Sequence, residues 1–148
     1  MKFVFTLASA SDVELLVELM REFYVCEHLA FDERVARAAL EQILSDRRFG
    51  VVHVIFVEGA AAGYLVLTFG FSLEFGGRDA LVDELYLREN FRGHGLGKAS
   101  LELAGAVCRE EGIRALHLQV DRANTRAQGL YRQAGFREHD RYLLTKWL

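Results

Sequence analysis

Leu85-Tyr86-Leu87-Arg88-Glu89-Asn90-Phe91-Arg92-Gly93-His94-Gly95-Leu96-Gly97-Lys98 is the stretch around which the remainder of the chain is organised. An apolar strand, expected over residues 80–87, runs into a loop with Arg92 and glycines at every second position, and the loop opens into a helix with apolar periodicity. Glycine lacks a Cβ, so the backbone turns tightly and approaches a ligand closely, and the first N–H groups of a helix have no partner within it. Strand, glycine loop and helix start together describe an anion site, to which Arg92 and Lys98 add positive charge. Hydrogen bonds to a charged group contribute roughly 1.5–3 kcal/mol each against about 0.3–1 kcal/mol from the helix dipole, so several amides aimed at one diphosphate carry most of the affinity. The expected ligand is a nucleotide-like cofactor.

Spacing narrows its identity. A GxxxxGK[ST] phosphate loop requires Gly at 92 and Ser or Thr at 99, where the chain has Arg92 and Ala99. The dinucleotide fingerprint requires a third glycine where Lys98 stands. What remains, Arg-Gly-X-Gly-X-Gly after a strand, resembles the acyl-CoA loop of the GCN5-related N-acetyltransferase family. A second stretch is similar to the motif that follows in that family: Asn124, then Tyr131 seven positions on, within Tyr-Arg-Gln-Ala-Gly-Phe. The resemblance implies acetyl-CoA as cosubstrate. It implies that backbone at Leu85, Tyr86 and Leu87 pairs with the pantetheine arm, that Arg92 and the amides of Gly93, His94, Gly95, Leu96, Gly97 and Lys98 hold the pyrophosphate, that Asn124 lines the site, and that Tyr131 faces the thioester sulfur. Glu89 departs from the family, many of whose members have proline there.

Composition bounds the remainder. At 148 residues, 51% hydrophobic and 26% charged, the chain fits one acetyltransferase domain over residues 1–148. Its apolar runs are too short for a bilayer, and no secretory leader pattern is present, so a soluble protein without membrane partners is expected. Eighteen basic against 21 acidic residues give a net charge of −3, which offers nucleic acid no electrostatic support and mildly favours a cationic substrate. Cys26 and Cys108, far apart in sequence, are expected as reduced thiols in a cytoplasmic setting. The five histidines never stand at metal-ligand spacing, so no metal site is expected.

Along the chain, residues 3–8 read as a first strand. Ser11 with Glu14 reads as a capping box, opening a helix whose inward face is Val13, Leu16, Val17, Met20 and Phe23, with Glu14, Glu18 and Glu22 in water. A second helix is expected from Asp32 to about Asp46, with Val35, Ala39 and Ile43 inward. Between them, the resemblance implies an acceptor contact at Tyr24 or His28, with a core or surface role the preferred reading of each. Strands over residues 51–57 and 62–71 make a hairpin, and residues 72–79 form a glycine-rich connection that is a candidate acceptor wall or a solvated loop. After the glycine loop come a helix over residues 95–111, with Leu96, Leu103 and Val107 inward, and an alternating strand over 115–121 lying parallel to 80–87 by a right-handed crossover. Asn124 caps a short helix ended by Gly135, and residues 136–139 and 142–147 are expected as a closing strand pair. The fold expected is a single-domain α/β structure with a mixed, mostly antiparallel sheet, a splayed parallel pair at its centre and helices on both faces.

Acetyl transfer to an amine calls for a base, and Asp83-Glu84 supplies two adjacent carboxylates. In a regular strand they point to opposite faces, so one looks into the cleft unless a bulge intervenes. Glu84, sharing a face with Val82 and Tyr86, is favoured, with Asp83 close behind. An electrostatic role towards the ammonium is the alternative for either. Tyr131 is the candidate hydrogen-bond donor to the departing thiolate. The acidic pair and Ser72-Leu73-Glu74-Phe75-Gly76-Gly77 look similar to small-amine members of the family, a resemblance that implies small amines, diamines, polyamines or amino acids as acceptors, with a protein or peptide amine, or a non-catalytic acyl-CoA-binding module, as alternatives. Apolar residues near the end of the chain, Tyr142, Leu144 and Trp147, suggest a homodimer.

Overall fold

A computed structural model describes residues 1–148. The elements run β1 (Phe3–Leu7), α1 (Val13–Cys26), α2 (Glu33–Ser45), β2 (Gly50–Val57), β3 (Ala60–Ser72), β4 (Gly77–Leu87), α3 (Leu96–Glu110), β5 (Ala115–Leu118) and α4 (Thr125–Gln133). The five strands form one sheet in the order β1-β2-β3-β4-β5, antiparallel up to β4 and parallel between β4 and β5. This is the expected mixed α/β fold with helices on both faces.

Two apolar layers hold it. On one face Leu16, Val17, Leu19 and Met20 of α1, with Ala36 and Leu40 of α2, cover Val52, Val54, Tyr64, Val66 and Tyr86. On the other, Leu101, Ala104 and Val107 of α3 cover Val51, Leu65, Leu67 and Val82, with Leu130 and Tyr131 of α4 packed at the margin. Each fully buried leucine in these layers stabilises the fold by roughly 1.5–3 kcal/mol.

Several expectations are corrected. The capping box is made two residues earlier, by Ser9 and Asp12, and α1 proper begins at Val13. Glu22 is half-buried against Tyr86 and Arg88 instead of wet. On α2 the inward residues are Ala36 and Leu40, with Ile43 alongside, while Val35 is 66% exposed. Ion pairs of Arg21 with Glu33 and of Arg37 with Glu14 join α2 to α1 in this rotation. The glycine-rich connection is shorter than expected, because Gly77 already pairs with Ser72 and β4 begins there.

The closing strand pair is absent. Residues 136–148 carry no strand, and Tyr142, Leu144 and Trp147 are over 80% exposed. After α4 the chain is tied to the β3–β4 hairpin, where both guanidinium NH groups of Arg141 donate to the Glu74 carboxylate and Phe75 lies against His139. A cavity of about 1260 Å³, lined by α3, β5, α4 and residues 136–143, separates that segment from the sheet. The parallel pair therefore stands at the sheet's edge.

The β3–β4 register depends on backbone contact at Gly63, where a Cβ would lie 1.9 Å from the Tyr86 carbonyl oxygen. Gly63→Ala is expected to cost about 1–3 kcal/mol and to lower Tm by several degrees, measured by thermal unfolding; an unchanged Tm would contradict this register.

Candidate active site

β4 and β5 are hydrogen-bonded only where residues 79–82 face residues 115–118, although β4 continues to Leu87. Beyond that point the β5 side of β4 has no strand beside it, and the two strands open a cleft at their C-terminal ends. A β-bulge starts the divergence: Val66 faces Glu84 while Leu67 faces Val82, leaving Asp83 as the extra residue of β4. The bulge also corrects the expected facing. Val82 joins the α3 layer, whereas Tyr86 joins the α1 layer and Glu84 reaches tyrosines on that side.

The glycine loop lies at the mouth of this cleft. Gly93 and Gly95 have φ of +79° and +81°, the left-handed region, and Gly95 caps α3. No amide from Gly93 to Lys98 donates within the protein; the first that does is that of Ala99, to the Gly95 carbonyl at 3.0 Å. Six successive N–H groups thus have no acceptor within the protein, which suits a diphosphate. Arg92 braces the loop, its Nε donating to the Leu87 carbonyl at 2.8 Å and its guanidinium lying 5.9 Å from the Tyr86 ring centre. His94 and Lys98 are exposed, with Lys98 Nζ 4.0 Å from Glu102.

Gly97 brings the last element in. A Cβ there would lie 3.4 Å from Cδ2 of Leu130, so α4 packs close against the first turn of α3. Asn124 caps α4, its Oδ1 accepting from the Ala127 N–H at 3.1 Å. Tyr131 is half-buried and edge-on to Phe136 at 6.2 Å. Burial pushes its phenol up, and the Glu27 carboxylate beyond the end of α1 adds to the shift.

On the α1 side Glu84 accepts from two phenols, Tyr24 to Oε2 at 2.5 Å and Tyr64 to Oε1 at 2.7 Å. Burial raises its carboxyl above the usual range against the pull of both donors, with a smaller upward push from Asp83. Asp83 is exposed, yet desolvation raises it too. Beside them Arg88 clamps Glu22 and Glu18, and Tyr86 donates to Glu22 at 3.2 Å.

The structure thus gathers Asp83, Glu84, the free edge at Leu85, Tyr86 and Leu87, the glycine loop, Asn124 and Tyr131 around one end of the sheet. The side chains of Leu85 and Tyr86 are packed into the core, leaving their backbone for a ligand. Tyr24 belongs to the site, whereas His28, exposed at φ +55°, has no hydrogen bond to it. The hairpin over residues 72–79 lies at the start of β4, away from Asp83 and Glu84, but its Phe75 lines the same cavity as Lys98 and Tyr131. Tyr64, Glu22 and Arg88 were not legible as site residues. Tyr64 reads as an ordinary aromatic of an apolar strand, and only the pairing of β3 with β4 brings its hydroxyl to Glu84.

Residues 14–136 match the sequence model of the acetyltransferase (GNAT) family. The thialysine N-ε-acetyltransferase of Bos taurus is 26% identical over 140 residues, covering 86% of this chain and 80% of that protein. An uncharacterized N-acetyltransferase of Bacillus subtilis, YycN, is 38% identical over 63 residues, covering 43% of this chain; the match spans only 40% of that relative's length. Among solved structures, an integron cassette protein from the mobile metagenome of Cole Harbour Salt Marsh superposes with a TM-score of 0.87 at 37% identity, covering 97% of this chain and 90% of its own. A predicted acetyltransferase of Clostridium acetobutylicum, solved with acetyl-CoA, shares the fold at a TM-score of 0.83 and 16% identity, with 98% and 96% covered.

Tyr24, Tyr64, Tyr86 and Tyr131 all have raised pKa values, that of Tyr86 to about 12, chiefly through burial. A raised folded-state pKa gives stability that is complete below the unfolded value near 10 and is lost as pH rises through the folded value. Tyrosinate absorbance should therefore lag behind free tyrosine above pH 10, with Tm falling over the same range. Four phenols ionising normally in the folded protein would contradict this site.

Proposed function

The chain belongs to the acetyltransferase (GNAT) family of acetyl-CoA-dependent N-acetyltransferases, and on that premise we propose that it acetylates a small primary amine, such as a diamine, polyamine or amino acid, by direct attack. The observation that carries the acceptor class is the pair Asp83 and Glu84. No cationic side chain acts on either carboxylate, and burial raises both above the usual carboxylate range. Two unneutralised carboxylates at the cleft suit a cationic amine. The free amides from Gly93 to Lys98 and the open edge of β4 suit the diphosphate and amide-bearing arm of acetyl-CoA, which supplies the activated acetyl group.

An alkylammonium with a pKa near 10.4 requires about 4–5 kcal/mol to lose its proton at pH 7. Glu84 takes that proton, and its raised pKa makes it a stronger base than a surface carboxylate. Asp83 holds the ammonium beside it. Tyr131, with its pKa raised above that of an ordinary phenol, donates a hydrogen bond to the departing thiolate without full transfer of its proton. Backbone N–H groups on the edge of β4 beyond Val82, where β5 no longer pairs, polarise the thioester carbonyl.

A single acetyltransferase domain over residues 1–148 is part of this reading, as are a reducing cytoplasmic setting, which fits the free Cys26 and Cys108, and a homodimer, supported by exposed Tyr142, Leu144 and Trp147. A second reading, a peptide amine as acceptor, draws on a putative ribosomal protein bS18-alanine N-acetyltransferase of Bacillus subtilis, 35% identical over 57 residues that make up 38% of this chain and of that protein.

The test is thiol release from acetyl-CoA across diamines, polyamines, amino acids, aminoglycosides and peptides. Turnover on a small amine is expected, falling about 100-fold in Glu84→Gln and roughly 10-fold or more in Tyr131→Phe with acetyl-CoA binding retained. Turnover on peptides alone would favour the second reading. Acetyl-CoA binding with no turnover on any acceptor would favour a binding module.

A further inference from the structure

We infer that Tyr24 and Tyr64 are positioning residues for Glu84, a two-phenol clamp that holds the carboxylate ionised and dictates that Oε2 is the oxygen that takes the proton. The inference rests on Glu84 as the base and goes beyond it by assigning its two oxygens.

The geometry is asymmetric. Tyr64 is fully buried, walled by the rings of Phe23 and Tyr86, and its hydroxyl has Glu84 Oε1 as sole hydrogen-bond partner. A phenol so enclosed has nowhere else to send its proton, so it remains a donor and Oε1 remains an acceptor. Tyr24 is half-buried near the end of α1, followed by exposed Val25, Cys26 and Glu27, and donates to Oε2. Being half-buried where Tyr64 is fully enclosed, Tyr24 is the one of the two phenols placed to exchange its proton with water. The groups acting on Glu84 are Tyr24 from α1, Tyr64 from β3 and Asp83 from β4 itself, and none is cationic. The phenols therefore provide the stabilisation of the charged form that a lysine or arginine supplies elsewhere.

The proton path balances. An ammonium N–H bond breaks and an O–H bond forms on Oε2. Protonated Oε2 is then a donor, so the Tyr24 hydroxyl turns to accept from it while donating to water. The proton leaves as it passes to the Tyr24 oxygen and the proton of Tyr24 passes to water, restoring the starting state.

The experiment titrates the Glu84 side chain by NMR of protein carrying 13C-labelled glutamate, with Glu84→Gln to assign the resonance, in the wild type, Tyr24→Phe and Tyr64→Phe. Loss of one donor to the charged form should raise the pH at which Glu84 titrates by about one pH unit in each variant, and the acidic limb of kcat/KM should move with it. At the high-pH plateau kcat should fall roughly tenfold in Tyr24→Phe and stay within about threefold of wild type in Tyr64→Phe. If Tyr64→Phe does not fold, Tyr24→Phe carries the titration by itself. An unchanged Glu84 titration overturns the clamp, and equal plateau losses overturn the assignment of Oε2. A shifted titration beside an unmoved acidic limb upholds the clamp and instead overturns Glu84 as the base.

Discussion

The bulge at Asp83 is the constraint on which the site depends. One extra residue in β4, facing the step from Val66 to Leu67, sends Val82 into the α3 layer and Glu84 and Tyr86 to the α1 layer. It stands one residue beyond the last pairing with β5, where β4 turns its edge to the cleft. Without it, the expected alternation would leave Glu84 on the face of Val82, among leucines and away from the tyrosines that now hold it. The same irregularity thus marks where β4 and β5 diverge and sets the carboxylate beside the cleft.

This arrangement costs stability. Asp83 and Glu84 have raised folded-state pKa values, so each destabilises the fold increasingly as pH rises through its folded value. The two apolar layers offset that cost: Tyr64, Leu65 and Leu67 are fully buried in β3 directly beside the bulge. On the α1 side the link is polar, with Arg88 joined to Glu18 and Glu22 and to the Ala61 carbonyl, fixing α1 against β4 and with it the position of Tyr24. A rigid scaffold thus carries groups that would not stay in place by themselves.

The elements that carry the site were legible because their signals are local. Glycines at 93, 95 and 97, Asn124 seven residues before Tyr131, and the alternation from Ala115 each specify backbone within a few residues. The partners of Glu84 were not legible, because they come from α1 and β3, 60 and 20 residues away, and only tertiary pairing joins them. The facing of α2 failed for a related reason: Ala38 and Ala39 beside Ala36 blur the apolar stripe, and ion pairs to α1 accompany the rotation adopted. The alternation after Gly135 read as strands, but β5 ends at Leu118, and Arg141 and His139 are held by Glu74 and Phe75 on the far hairpin. Periodicity reports which faces are apolar; it does not report whether a neighbouring edge is within reach.

The most direct test of the central claim, that the splayed end of β4 and the loop of free amides form the acetyl-CoA site, is a backbone amide NMR titration with CoA. The account predicts the largest shift changes at residues 93–98, followed by residues 83–87 on the open edge of β4. Changes concentrated instead at residues 73–76 or along β1, with residues 93–98 unmoved, would contradict it.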